Sequence, residues 1–349
     1  MANASIYCSS MSMQLFRESG DEFEIGDRID RDINVVQHKN SGVRFMVKRI
    51  DVLSIDVSEL EDVKKDVITT RQLKHKNILP YFSCFVNKSL NEVWLLSPLC
   101  DYGSASNLST ELKLQEVSIS FIIRDTLCAL EYLHTRGIIH RAVRGSHILI
   151  HRATGSCMLT GLKYSTPVIK NGKWQLAVHD YPSNGITNLN WLAPEVLEQN
   201  LLGYDAKSDI YSLGITCCEL ANGVVPFAEL QPTEMLLDKL TGNFPRLIDS
   251  TCQDLHKLDV NAMTAEDKIK HEMYLKRRFS DAFHSFTTDL CLGVDAERRP
   301  SATQLLSHNF ITKQKKKYPN LIASLEADGI KPNMQLSPEN TQTKISRKK

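Results

Sequence analysis

A chain of 349 residues, 42% hydrophobic and 24% charged, can bury the core of two lobes, and its formal net charge of +1 sets up no field for nucleic acid or an acidic substrate. Nine scattered cysteines without a C-x-x-C pair argue against zinc and against a disulfide framework, and for a reducing, intracellular compartment. No basic start followed by an apolar run opens the chain, and no run of about 18 apolar residues occurs, so neither secretion nor membrane insertion is expected.

Residues 1–22 read as a flexible segment. From Phe23 to Ile50 the pattern predicts three short strands, with the turn Lys39-Asn40-Ser41-Gly42 between the second and third. The third ends in Val47-Lys48-Arg49-Ile50; a lysine in a half-exposed strand is by itself an ordinary surface residue. Asp56 to Lys74 carries Leu60, Val63, Val67 and Ile68 at helical spacing on a polar background, which predicts an amphipathic helix. It runs into Leu73-Lys74-His75-Lys76-Asn77-Ile78. Two apolar runs, Asn77 to Phe85 and Glu92 to Pro98, suit strands that complete a five-stranded sheet, and Leu99 to Ser104 reads as a hinge. Beyond it the pattern turns helical, with Ile119, Ile123, Leu127 and Leu130 near helical spacing between Leu114 and His134.

Ile138 to Ile150 reads Ile-Ile-His-Arg-Ala-Val-Arg-Gly-Ser-His-Ile-Leu-Ile, two apolar runs around a polar loop that opens with His-Arg. Cys157 to Lys163 follows, then a Gly- and Pro-punctuated segment to Asn190 that closes on Trp191-Leu192-Ala193-Pro194-Glu195. Ser208 to Gly223 is apolar on nearly all sides and predicts a buried helix, with Asp209 placed to cap it and to bond the loop around His140 and Arg141. Ser250 to Asp281 holds the charge-dense run Thr264 to His271, which reads as a solvated surface insert. From residue 312 the chain carries Lys315-Lys316-Lys317 and ends Arg347-Lys348-Lys349; it reads as a largely disordered basic tail, with nuclear import or an acidic partner as its functional alternative.

In this order the motifs resemble those of protein kinases, whose catalytic loop is H-R-D-L-x-x-x-N. The resemblance implies an α+β, bilobal fold over residues 23–311. A small N-lobe (about 23–98) would hold a five-stranded antiparallel sheet and the C-helix, and a mainly helical C-lobe would span about 103–311. Lys48 matches the strand lysine that holds nucleotide phosphates, and Asp66 falls where a glutamate pairs with it; a solvated helix acid is the plain alternative. Counting back from Lys48 puts the phosphate-covering G-x-G-x-x-G-x-V loop on Gly26 to Ile33, with Gly26 alone kept of its glycines. Ser97 and Leu99, beside the hinge, would face the nucleotide. Arg141, Glu195, Asp209 and Arg299 match structural anchors, Arg299 pairing with Glu195.

The chemistry is missing from this frame. Ala142 stands where the base aspartate belongs, His147 where an asparagine binds metal, and Gly161 where the D-F-G aspartate belongs. A methyl group accepts no proton, and magnesium needs oxygen ligands. Positioned acid/base groups alone are worth about 10²- to 10⁴-fold, so no useful turnover, no catalytic residue and no bound metal is expected. Arg144 and His147 offer donors to phosphate, and with Lys48 they would replace magnesium's charge and give metal-independent ATP binding. A collapsed or empty cleft is the other reading.

At Trp191 to Phe227 the match narrows. Together with Tyr102-Gly103-Ser104-Ala105, His140-Arg141-Ala142-Val143-Arg144, Ser146 to Ile150 and His179-Asp180-Tyr181-Pro182, this stretch resembles the STRAD pseudokinases, adaptors related to sterile-20 kinases. The resemblance implies a closed, active-like body that binds ATP without catalysis. It also implies allosteric activation of a serine/threonine kinase of the liver kinase B type, with a helical-repeat scaffold of the mouse-protein-25 type completing the complex. Cytoplasmic residence with shuttling to the nucleus is the matching location, with no nucleic acid or membrane partner. The partner kinase would dock on the cleft-facing surface and the segment from Leu162 to Asn190. STRAD members can end in a Trp-Glu-Phe tail that the scaffold grips; here the sequence ends Ile-Ser-Arg-Lys-Lys, so the expectation is that scaffold contact rests on the body of the fold, chiefly the helix around Asp56 to Lys74, or is weaker. The competing readings are a nucleotide-independent scaffold and an enzyme with improvised phosphoryl or nucleotidyl transfer.

Overall fold

Alternating apolar residues from Phe23 onward build an antiparallel sheet whose two faces are buried by different partners. In the computed structural model, which describes residues 20–170, 172–181, 185–199, 201–257, 263–313 and 317–332, five strands form it. They are β1 (Phe23–Asp30), β2 (Ile33–His38), β3 (Arg44–Asp51), β4 (Ser83–Asn87) and β5 (Glu92–Ser97), in the order β1-β2-β3-β5-β4. Phe23, Val36, Phe45, Val47, Phe85, Trp94 and Leu96 close one face, while Ile50 and Leu95 on the other meet Val67 of helix α1 (Val57–Gln72). The apolar run from Asn77 splits in two. Its second half starts β4, whereas Asn77 and Leu79 exchange backbone bonds with Leu159 and stitch the two lobes together.

Asp56 caps α1 through a capping box with Glu59, so the helix starts where its aspartate can serve the free N–H groups. Its apolar stripe is only partly used. Val67 and Thr70 are buried between the sheet and residues 162–164, whereas Leu60 and Ile68 stay 40% and 49% exposed because nothing among the described residues covers that side.

The larger lobe is laid on α3 (Glu116–His134), which follows the short α2 (Ala105–Ser109) and whose Ile119, Ile123, Leu127 and Leu130 are fully buried. Next come β6 (Ile138–Ile139), the β7 (Ile148–His151) and β8 (Ser156–Leu159) hairpin, β9 (Thr166–Pro167) paired with β6, and the small hairpin of β10 (Ile169–Lys170) and β11 (Lys173–Trp174). Helix α4 (Pro194–Glu198) leads to α5 (Lys207–Asn222), buried from Ser208 to Asn222 as its composition requires. Then come α6 (Pro232–Thr241), α7 (Ala265–Lys276), α8 (Asp281–His284) running into a π-helical turn at Ser285–Cys291, α9 (Ala302–Leu306), α10 (Asn309–Thr312) and α11 (Leu321–Ala327).

Three sequence expectations need correction. Asp209 does not cap α5, whose N-cap is Ala206; it lies a turn inside, and its carboxylate is spent on the neighbouring loop. The charge-dense insert is not simply solvated. Its helix α7 buries His271, which bonds the Leu255 carbonyl, and Tyr274 and Arg277 then donate to the carbonyls of Asn222 and Ala221. Nor is the chain beyond residue 312 wholly a loose tail. Leu321 and Leu325 of α11 are buried, and Ser118 of α3 bonds both Ser324 and Asp328. Residues 1–19, Lys315, Lys316 and 333–349 lie outside the described residues. Among the described residues no helix is long and apolar enough to cross a membrane.

Candidate functional site

The start of the loop from His140 to His147 is fixed from below by the Asp209 carboxylate, while Glu219 Oε2 accepts from the Gly145 N–H at 2.9 Å. Asp209 is fully buried; Oδ1 accepts from the Arg141 N–H and Oδ2 from the His140 N–H, each at 2.8 Å, with His134 Nε2 also 2.8 Å from Oδ2. Burial would raise its pKa, but the bond to His134 and the neighbouring charges hold it below the ordinary range. The bonds offset the left-handed backbone of Arg141 (φ 62°), a conformation that costs about 1–3 kcal/mol. The other anchors meet as their spacing suggests. Arg299 forks onto both oxygens of Glu195, Nη2 lying 3.0 Å from Oε2. Helix α6 adds a tie absent from the sequence reading: buried Lys239 Nζ donates to the carbonyls of Leu189, Asn190 and Leu192 at 3.2, 2.9 and 2.7 Å, with the Tyr211 and Phe227 rings over it.

At the position that the resemblance assigns to the reaction there is a hydrocarbon and two rings. Ala142 is 1% exposed. The His140 ring bridges two backbone groups, Nε2–H donating to the Thr160 carbonyl at 2.8 Å and Nδ1 accepting from the Ala142 N–H at 3.2 Å. His147 Nδ1 lies 2.7 Å from the Ala142 carbonyl, which can only accept, so Nδ1 carries the hydrogen and Nε2 a lone pair. Burial, offset by that bond and helped by the Arg144 and Lys48 charges, pushes its pKa down to about 3. The ring also fills the place of a missing carboxylate: a Cβ on Gly161 would lie 2.9 Å from His147 Nδ1. Where the resemblance expects oxygen ligands for a hard dication, the chain carries an imidazole and a hydrogen atom. Among the described residues no cluster of three His, Cys, Asp or Glu is placed to hold a metal.

The charges of Lys48 and Arg144 both reach His147, but the donors assigned to phosphate are largely bonded elsewhere. Lys48 lies in β3, paired with Ile33 and Leu95, and its charge reaches His147. Asp66 is buried but makes no ion pair with it; Asp66 Oδ2 instead accepts the Tyr81 hydroxyl at 2.7 Å. The donor role expected of His147 is corrected by its tautomer, since its remaining nitrogen accepts. Arg144 is likewise turned away: it bonds Ser146, the Thr187 carbonyl and Asn188, and lies 4.5 Å over the Trp191 ring. Gly26 is inside β1, where a Cβ would meet the Val35 carbonyl at 3.4 Å, and the strand runs on to a two-residue turn at Arg31-Asp32. Arg28 ties that turn by donating to the carbonyls of Asp30 and Arg31. Ser97 is buried against the Met46 carbonyl.

Sequence reasoning passed over Met46. It stands two residues before Lys48, where V-A-I-K has alanine, and it is 6% exposed. With Leu79, Cys100 and Met158 it forms an apolar cluster on which Ile29, Ile33, Leu99 and Leu149 pack. Tyr81 and Lys239 were also missed, because a partner brought from elsewhere in the fold leaves no local spacing signal.

The protein kinase domain family matches residues 32–311. The chain is 37% identical over 307 residues to STE20-related kinase adapter protein alpha of Bos taurus, covering 82% of this chain and 81% of that protein. To the Homo sapiens alpha protein it is 36% identical over 307 residues, 82% and 70% of the two chains. To STE20-related kinase adapter protein beta of Homo sapiens it is 35% identical over 342 residues, 91% and 81%.

Proposed function

Because the chain belongs to the STE20-related kinase adapter family, built on the protein kinase domain, we propose that it is a pseudokinase adaptor that binds and activates a partner serine/threonine kinase of the liver kinase B type. One observation carries this reading: the anchors that shape a kinase body are engaged, while the metal position is filled by the chain's own His147 ring. A body with that frame and, among its described residues, no cluster placed to hold a metal supports a role through shape and not through phosphate transfer.

Two apolar surfaces support two partners. Trp174 and Leu176 on the activation segment, with Leu201 and Leu202 after α4, are 60–100% exposed and suit the partner kinase. Leu53, Val57, Leu60 and Ile68, 40–80% exposed on and before α1, suit the helical-repeat scaffold. In the cleft, metal-free ATP contact rests on Lys48. A second reading, nucleotide-independent scaffolding, is favoured by the Met46 cluster between the hinge and β1, which puts a long side chain where kinases keep a small one.

The test is reconstitution of the partner kinase with scaffold and this chain. Partner activity should rise, within the roughly 5- to 150-fold range of allosteric couplings, and W174S/L176S should lose most of the rise. No rise with the unaltered chain, or transfer of labelled phosphate by the chain alone, overturns the adaptor reading. A thermal shift with millimolar ATP and EDTA that vanishes in K48A supports the nucleotide contact. Absence of any shift, with activation intact in K48A, leaves the scaffold reading.

A further inference from the structure

Arg141 carries a charge into the interior: its side chain is 3% exposed. A fold tolerates that only where the guanidinium is paired and hydrogen-bonded. Nε donates to the Tyr164 carbonyl at 2.6 Å, and Nη1 to the Asp180 carbonyl at 2.9 Å and the Tyr204 hydroxyl at 3.0 Å. All three are neutral acceptors. Among the described residues one carboxylate lies within ion-pair reach of this guanidinium, that of Asp180, with Oδ2 3.2 Å from Nη1.

Asp180 is itself a junction. Its carboxylate also accepts from Thr166 Oγ1 at 3.4 Å, on the strand that opens the activation segment, and its carbonyl accepts the Tyr204 hydroxyl. Val178 and Tyr204 exchange two backbone hydrogen bonds, of 2.8 and 3.0 Å, so the end of the segment is laced to the chain leading into α5. The N-lobe contributes as well. Lys65 of α1 is within electrostatic reach of both groups: burial first and then the Arg141 charge lower its pKa, while Asp180 acts the other way.

Kinases commonly order this segment by phosphorylation, which creates a new pair between an arginine and a phosphate. Here a buried cation from the loop at His140 to His147 already pairs with an anion on the segment, with Lys65 of α1 within electrostatic reach. We propose that Asp180 is a permanent substitute for an activating phosphate, so that the segment keeps its ordered, partner-facing shape in the unmodified chain. Magnitude does not contradict this. Asp180 is 56% exposed, and an ion pair exposed at both ends is worth little, but this one ends on a buried arginine. Removing the carboxylate leaves that arginine without a counter-charge, which is the costly half of breaking a pair.

The inference rests on the fold and not on the adaptor reading, and its test needs no partner. Backbone hydrogen exchange is measured over residues 164–181 and 201–206 on the full chain made in bacteria, before and after phosphatase treatment. Equal protection in both samples is expected. D180N keeps the size and removes the charge; with D180A it should speed exchange at Val178 and Tyr204 by roughly tenfold or more, while D180E retains most of the protection. Melting temperature is followed in each variant, so that local release is distinguished from global unfolding. Exchange unchanged in D180N and D180A overturns the proposal, as does wild-type protection that appears only after phosphorylation. Failure of the unaltered chain to activate a partner, with the exchange pattern as described, would instead count against the adaptor function alone.

Discussion

His147 and Gly161 are one substitution written at two positions. The imidazole fits because residue 161 has no side chain, and Gly161 has a left-handed backbone (φ 89°) that other residues adopt only under strain. Restoring the aspartate at 161 should therefore not restore a metal site. G161D is expected to cost about 2–4 kcal/mol, combining backbone strain with overpacking against the ring, and H147N in the same chain should recover part of it. Urea unfolding of the three variants measures this, and a G161D as stable as the parent would disprove the filled-site account. The same ring makes stability depend on pH. Its pKa falls from 6.5 to about 3 on folding, so below pH 6.5 the unfolded chain takes up a proton that the folded chain refuses. Stability is lost as pH falls through that window, by about 1–2 kcal/mol at pH 5 for this group, and the loss should shrink in H147N. Ala142, His147 and Gly161 were assigned their places by counting within the motif. What filled the gap was not readable that way, because a tautomer depends on which carbonyl the fold brings near.

Among the elements, α5 and α3 were readable from the sequence and α1 only in part. A helix apolar on all sides has one place to go, and α5 went there. The periodicity of α1 announced a helix but could not say that only the Val67 and Thr70 side would be covered. The tie between α4 and the stretch before α9 also followed from two residues, Glu195 and Arg299. The arginine is fully buried and donates further to the carbonyls of Gly293 and Val294. R299A should leave Glu195 uncompensated and destabilise the chain by about 3–5 kcal/mol in urea titration, and R299K should restore little, since a single ammonium cannot fork onto two oxygens. A loss under about 1 kcal/mol would mean that the C-lobe is held by other contacts.

Across the whole molecule, motif order was enough for the two lobes and the five-stranded sheet, because each motif stands at a fixed place on the frame. Long-range docking was not readable. Nothing near Leu321 and Leu325 announces that α11 packs on α3, and nothing near Met46 announces a cluster joining hinge, sheet and hairpin. The plugged metal position bears on the protein's tempo. A catalyst must let go after every round, and its fastenings have to yield on that schedule. On the adaptor reading proposed above, this chain has no round to complete, so the bolts around Asp209 and Lys239 are free to stay shut for its lifetime.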